Sequence, residues 1–153
     1  MKIATLVDNN TQDKQFNTEH GLSLYIETDS NRKILYDTGQ SDLFLQNAKK
    51  MNINLEGIDA VIIAHGHYDH IGGLLHFMEM NKNAQIYMHS TLFDYQYFSI
   101  KNGVKKVNGY EEKLRNYRDR FTFVSENVSF NDFHLIARVA QKFALPKGNR
   151  VLF

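Results

Sequence analysis

The sequence predicts an α/β or α+β domain, a sheet with helices packed against one of its faces. Three observations predict it. Gly21 to Glu27 alternates, with Leu22, Leu24 and Ile26 on one side, as a half-buried strand does. Ile58 to Ala64 is apolar on both faces, as a central strand is. Between and after these stretches, apolar residues recur at helical spacing, so strands alternate with helices along the chain.

The elements follow in order. Lys2 to Asp8 is rich in Ile, Leu and Val and ends in the turn-forming Asp8-Asn9-Asn10, which reads as a first strand. Asn9 to Asn17 is polar, a loop that approaches or covers something. The strand at 21–27 and Lys33 to Asp37 are joined by Asp29-Ser30-Asn31-Arg32 and make a hairpin. Ser41 is a good N-cap and Asp42 suits the positive end of a helix dipole, so a helix runs from Ser41 to Met51. Phe44, Leu45, Ala48 and Met51 form its buried stripe. Gly57 separates it from the central strand. Ile71, Leu74, Leu75 and Met78 predict a second helix, with Gly72 and Gly73 near its start and His76 on its exposed face. Gln85 to His89 is a short strand. Thr91 to Phe98 reads as a short helix and Glu111 to Arg120 as a charged, exposed one. Phe121 to Ser125 and Phe133 to Val139, the latter carrying His134, read as closing strands. No repeat, low-complexity segment or linker divides the chain, so residues 1–153 are expected to form one domain.

Composition narrows the function. The formal net charge is +1 over 153 residues. That balance gives no sign of a nucleic-acid partner or of an acidic membrane surface. There are no cysteines, which removes disulfides and thiolate metal sites. The first residues lack a signal-peptide pattern, and no apolar run approaches the roughly 20 residues of a membrane span. A cytoplasmic location is expected.

The chemistry concentrates after the central strand. Ala64-His65-Gly66-His67-Tyr68-Asp69-His70 holds three of the seven histidines within six positions. Imidazole and carboxylate donors suit Zn²⁺, and also Mn²⁺ or Fe²⁺. His65 lies just beyond the carboxyl end of its strand, where open α/β sheets bind ligands. In an extended segment His65 and His67 share a face and can grip one ion, while Asp69 and His70 point elsewhere. Two ions a few ångströms apart fit that spacing, and such a pair acidifies water for hydrolysis of a carbonyl or phosphoryl substrate. Asp37, at the end of a neighbouring strand, is either a turn residue or the group that orients a ligand histidine. Other metal patterns fail: there is no His-Glu-x-x-His helix, and zinc deaminases need cysteines. The basic residues Lys105, Lys106, Arg115, Arg118 and Arg120 read as a solvated face.

His65 to His70 resembles the signature of metallo-β-lactamase-fold hydrolases, and Asp37-Thr38-Gly39 resembles their upstream motif. Glu19-His20-Gly21-Leu22-Ser23, Leu35 to Ser41 and His65 to Leu74 together resemble the branch of dihydropterin ribofuranosylaminobenzene phosphate synthase-like proteins. The similarity covers most of residues 1–100 and continues to Leu145-Pro146-Lys147-Gly148-Asn149-Arg150. It implies a four-layer αββα sandwich, of which this chain would be the N-terminal half: one mixed sheet with helices on one face. It also implies two Zn²⁺ sites, with His65 and His67 in one and Asp69 and His70 in the other.

Family members are usually longer, and their second half supplies a third histidine, a bridging aspartate and a last histidine. Nothing after His134 resembles those later motifs. Catalytic zinc normally takes three protein ligands and a water, so His20 and His89 are the candidates to add donors to the four-residue set. The expected activity is a metallohydrolase in which metal-bound hydroxide attacks a phosphate ester or related small molecule, with Asp69 as ligand and proton acceptor. The alternative is a truncated, non-catalytic metal-binding or interaction module that needs a partner chain. Without a second half, the sheet face of Leu22, Leu24 and Ile62 would stand open, which predicts self-association, for instance as a homodimer.

Overall fold

The computed structural model describes residues 1–139; the stretch Leu145 to Arg150 lies outside them. Ten strands (β1 Lys2–Val7, β2 Ser23–Glu27, β3 Lys33–Tyr36, β4 Ala60–Ile63, β5 Gln85–His89, β6 Phe98–Lys101, β7 Val104–Val107, β8 Phe121–Val124, β9 Val128–Ser129, β10 His134–Leu135) and three α-helices (α1 Leu43–Lys50, α2 Tyr68–Ile71, α3 Leu74–Met80) make up the described fold. The main sheet is ordered β1-β2-β3-β4-β5-β8. β1, β2 and β3 pair antiparallel, and β3, β4, β5 and β8 pair parallel, so the sheet is mixed.

The two-residue period of the strands sorts their side chains by face. The row Ala4, Tyr25, Leu35, Val61, Ile86 and Phe121 runs across neighbouring strands on the side that meets the helices. Phe44 of α1 and Phe77 of α3 are fully buried against that side. Each contributes roughly 2–3 kcal/mol of apolar transfer, far more than the last turn of either helix gains from propensity. Packing therefore sets where the helices lie. The buried residues of α1 are Leu43, Phe44, Asn47 and Ala48, so Phe44 and Ala48 fall as expected, while Leu45 and Met51 pack only partly buried against the core. Asn47 belongs to it because its amide donates to the carbonyls of Leu6 (2.8 Å) and Asn17 (3.0 Å).

The opposite row, Leu24, Tyr36, Ile62 and Tyr87, faces away from the helices. The short β9–β10 ladder lies across part of it. Phe130 stacks on Phe133 and meets Tyr87 edge-on. Asp132 accepts hydrogen bonds from Thr28 (2.8 Å) and Ser30 and lies 3.6 Å from Arg32 Nε. Beneath this cover remains an apolar cavity of about 620 Å³ lined by residues such as Ile26, Tyr36, Ile62 and Leu135. The face is thus half-covered rather than open.

Several local expectations are corrected. α1 begins one residue later than expected, at an N-cap of Asp42, yet Ser41 Oγ still accepts the Leu43 N–H at 3.1 Å. The second helix is two short ones, α2 and α3, divided at Gly72 and Gly73. Thr91 to Phe98 is a turn at Thr91–Asp94 and then irregular chain leading into β6, not a helix, because its aromatic residues serve separate contacts: Phe93 is buried against Tyr110 while Tyr95 is 61% exposed. Glu112–Arg120 is 3₁₀ rather than α, kinked at Tyr117, with Leu114 as its one buried residue. One apolar anchor per nine residues cannot hold an amphipathic α-helix on a core. The 133–139 strand shrinks to β10. The β6–β7 hairpin was not expected, although Asn102-Gly103 is a strong hairpin signal; both residues have positive φ, 52° and 75°, as a type I′ turn requires. Among the described residues no helix is long and apolar enough to cross a membrane.

Candidate metal centre

The site forms where the parallel strands β3 and β4 end. Asp37 continues the ladder through its N–H to Ile62 O (2.9 Å) and then turns with φ 55°. Aspartate tolerates that left-handed conformation better than most residues. The turn sends its carboxylate inward, where it is fully buried. One oxygen accepts the Ala64 N–H at 2.8 Å and the other lies 2.7 Å from His70 Nδ1. Burial raises the Asp37 pKa, opposed by these two hydrogen bonds. Thr38 locks the opposite side: its N–H and its hydroxyl both donate to His70 O, at 2.7 and 3.0 Å.

Past β4 the chain bends at Gly66 and is extended at His67, the N-cap of α2, and Asp69 and His70 fall in the first turn of that helix. This brings all four signature side chains together. His65 Nε2 and His67 Nδ1 face each other at 3.1 Å. The His65 and His70 rings are 4.2 Å apart. Asp69 Oδ2 lies 3.4 Å from His70 Nε2. Two donors about 2.1 Å from one ion at tetrahedral or right angles lie roughly 3.0–3.4 Å apart, so both pairs have the separation that sharing an ion requires. The donor chemistry fits a divalent cation in pairs. Among the described residues, no three His, Cys, Asp or Glu side chains are arranged as one metal-holding group.

Burial and neighbouring charge shift the three signature histidines in different directions. Burial, then the charges of His70 and His67, pull the His65 pKa down to about 4. Burial likewise lowers His67. Burial thus disfavours the charged form of both rings, and one of their two facing nitrogens donates to the other. Burial also pulls on His70, but the hydrogen bond and charge of Asp37, with the charge of Asp69, raise its pKa on balance. A ring that donates from Nδ1 to a carboxylate presents Nε2 outward.

Of the outlying candidates, His20 reaches the cluster and His89 does not. His20 Nε2 is 3.4 Å from Asp69 Oδ2. His89 Nδ1 instead accepts the Thr91 N–H at 3.2 Å and lies 2.8 Å from Thr91 Oγ1. His76 is exposed, and His134 is exposed beside Ser129. Sequence reasoning missed four neighbours. Tyr97 meets the His67 ring edge-on at 5.1 Å. Asn108 O accepts the Tyr68 N–H at 2.8 Å, and Gly109 bridges His67, so the base of the β6–β7 hairpin is stitched to the signature. Lys106 Nζ stands 5.7 Å from the Tyr68 ring centre. Only the Asn-Gly turn could have indicated that hairpin, and nothing local indicates where it docks.

Comparison with known proteins agrees with this geometry. Residues 17–145 match the profile of the Metallo-beta-lactamase superfamily. A 7,8-dihydropterin-6-methyl-4-(beta-D-ribofuranosyl)-aminobenzene-5'-phosphate synthase of Methanocaldococcus jannaschii is 40% identical over 99 residues, covering 61% of this chain and 34% of that protein. A UPF0173 metal-dependent hydrolase of Staphylococcus aureus is 28% identical over 92 residues, 59% of this chain and 37% of that protein. The crystal structure of Tm1679, a metal-dependent hydrolase of the beta-lactamase superfamily, is 31% identical with a TM-score of 0.66, over 84% of this chain and 44% of that one. BJP-1, a subclass B3 metallo-beta-lactamase of Bradyrhizobium japonicum, shares the fold at 21% identity and a TM-score of 0.51, over 75% of this chain and 44% of that one. The chain thus spans less than half the length of these relatives.

Proposed function

The chain belongs to the metallo-β-lactamase superfamily, and from that membership we propose that it carries the metal-binding half of a hydrolase acting on a phosphate ester or a similar small anion. The observation that carries this reading is the pair of facing donor sets, His65 with His67 at 3.1 Å and Asp69 with His70 at 3.4 Å. These four residues would hold one or two divalent cations, zinc by the donor chemistry and manganese or iron as alternatives. A bound cation would supply Lewis acidity toward the substrate and toward water.

The protein's own groups do the rest. Asp37 takes the Nδ1 proton of His70 into its hydrogen bond and so fixes which nitrogen faces the site. Ala64 N–H and Thr38 hold that arrangement from the strand ends. Asp69, 3.4 Å from His70 Nε2, would accept a proton from a nucleophile. Lys106 of the hairpin stands beside the signature, its Nζ 5.7 Å from the Tyr68 ring centre. It would offer cationic charge to a phosphate, in keeping with an anionic substrate.

A second reading is a metal-binding or interaction module without turnover. It is favoured by the absence of a three-donor group among the described residues. Elemental analysis of the purified chain, beside hydrolysis of an aryl phosphate ester, separates the two. Stoichiometric metal with turnover abolished in His67→Ala is the expected result. Metal without turnover supports the module, and a chain that takes up no metal refutes the hydrolase and leaves only an interaction role.

A further inference from the structure

We propose that His20 is a metal ligand delivered by the loop between β1 and β2, adding a third donor from this chain to Asp69 and His70. The proposal rests on the metal-binding reading above and assigns a residue outside the His65–His70 cluster.

Three features converge on this role. The first is aim: His20 Nε2 lies 3.4 Å from Asp69 Oδ2, the same oxygen that lies 3.4 Å from His70 Nε2. The second is tautomer. His20 Nδ1 is 3.1 Å from Asn9 Oδ1, an acceptor, so Nδ1 carries the proton and the Nε2 lone pair points at Asp69. That is the second-sphere pattern of ligating histidines, with an amide oxygen in the orienting place.

The third feature is the way the backbone is brought there. Glu19 is clamped on the turn after β3: Oε1 accepts the N–H groups of Gln40 (3.0 Å) and Ser41 (3.2 Å), and Oε2 accepts the Ser41 hydroxyl (2.6 Å). Gly21 follows with φ +150°, and a Cβ there would stand 2.4 Å from Asp69 O. Only glycine lets the loop come this close to the signature. Leu22 N–H then donates to Asp69 O at 3.3 Å, and Asn9 Oδ1 also accepts the Gly21 N–H at 3.1 Å. The residues on both sides of His20 are thus pinned while its own side chain is 65% exposed. The three donors do not yet close on one point, and His20 is the one with room to turn.

The test uses the full chain with Zn²⁺ and Co²⁺, titrated against a chromophoric chelator, in wild type, His20→Ala, Asn9→Ala and His67→Ala. His20→Ala should weaken one site by at least about 10-fold, as outer-sphere losses alone reach 10–100-fold. It should also change the Co²⁺ visible spectrum. Asn9→Ala should weaken the same site to a smaller degree, and His67→Ala should weaken the other. In ¹⁵N spectra the His20 Nε2 resonance should shift on zinc addition. Affinities and Co²⁺ spectra identical in His20→Ala and wild type, or a His20 Nε2 that stays still while His70 responds, overturn the proposal alone. A wild-type chain that takes up no zinc overturns it together with the metal-binding reading.

Discussion

Replacing Asp37 by Asn removes one charge and leaves the shape, and its consequences can be worked through atom by atom. Asn tolerates the φ of 55° at this position, so the backbone has no reason to move. The carboxylate accepts from Ala64 N–H at 2.8 Å and from His70 Nδ1 at 2.7 Å. The amide has one acceptor oxygen for these two donors. If its nitrogen faces Ala64, two N–H groups oppose each other in a fully buried place, at a cost of about 1–3 kcal/mol. Facing His70 instead, the amide nitrogen forces Nδ1 to accept, and the proton moves to Nε2. The second arrangement is favoured. It turns the His70 nitrogen nearest Asp69 from a lone pair into a donor. Replacing a charged hydrogen bond by a neutral one lowers stability by about 1 kcal/mol, a small part of total stability. Zinc affinity should fall by about 10- to 100-fold. Imidazole ¹⁵N spectra of metal-free protein report the tautomer, and competition titration reports the affinity. A variant with His70 still protonated at Nδ1 and wild-type zinc affinity would refute the assignment of Asp37 as the residue positioning His70.

Three further outcomes are expected. Asn81, 3% exposed, donates to the carbonyls of Leu55, Glu56 and Ile58 and accepts the N–H groups of Asn83 and Ala84; Asn81→Ala should cost about 2–4 kcal/mol in urea unfolding, and an unchanged midpoint would contradict the burial argument. His65 has its folded pKa depressed to about 4, below the unfolded value near 6.5, so its contribution to stability is present above about pH 6.5 and is lost as pH falls toward 4. In chelator-treated protein, wild type should therefore lose roughly 1–2 kcal/mol more than His65→Gln between about pH 7.5 and about pH 4.5, a figure discounted for solvent screening; parallel losses would exclude that role for His65. The half-covered sheet face around Tyr36 and Ile62, with Ile136 68% exposed beside it, should drive self-association, and light scattering at the single-chain mass would disprove this.

Local features of the sequence determined a good deal. The alternation of Leu22, Leu24 and Ile26 and the apolar run of β4 were readable because a strand's side-chain period is a property of neighbours along the chain. The His65 to His70 cluster was readable for the same reason: its donors lie within six positions, and the His65 and His67 rings do meet, across a bend at Gly66. Asp37 could be seen as a strand-end aspartate, but its contact with His70 spans 33 positions, and only the parallel pairing of β3 with β4 brings them together. Tertiary structure alone chose between His20 and His89. Both precede or follow short strands and look equivalent in sequence, yet the Glu19 clamp and the close approach at Gly21 turn one toward Asp69, while Thr91 turns the other away. The same holds for the hairpin at the site, whose Asn-Gly turn was local but whose docking on Tyr68 was not. Contacts between distant segments depend on how the layers pack, and no short-range pattern encodes that.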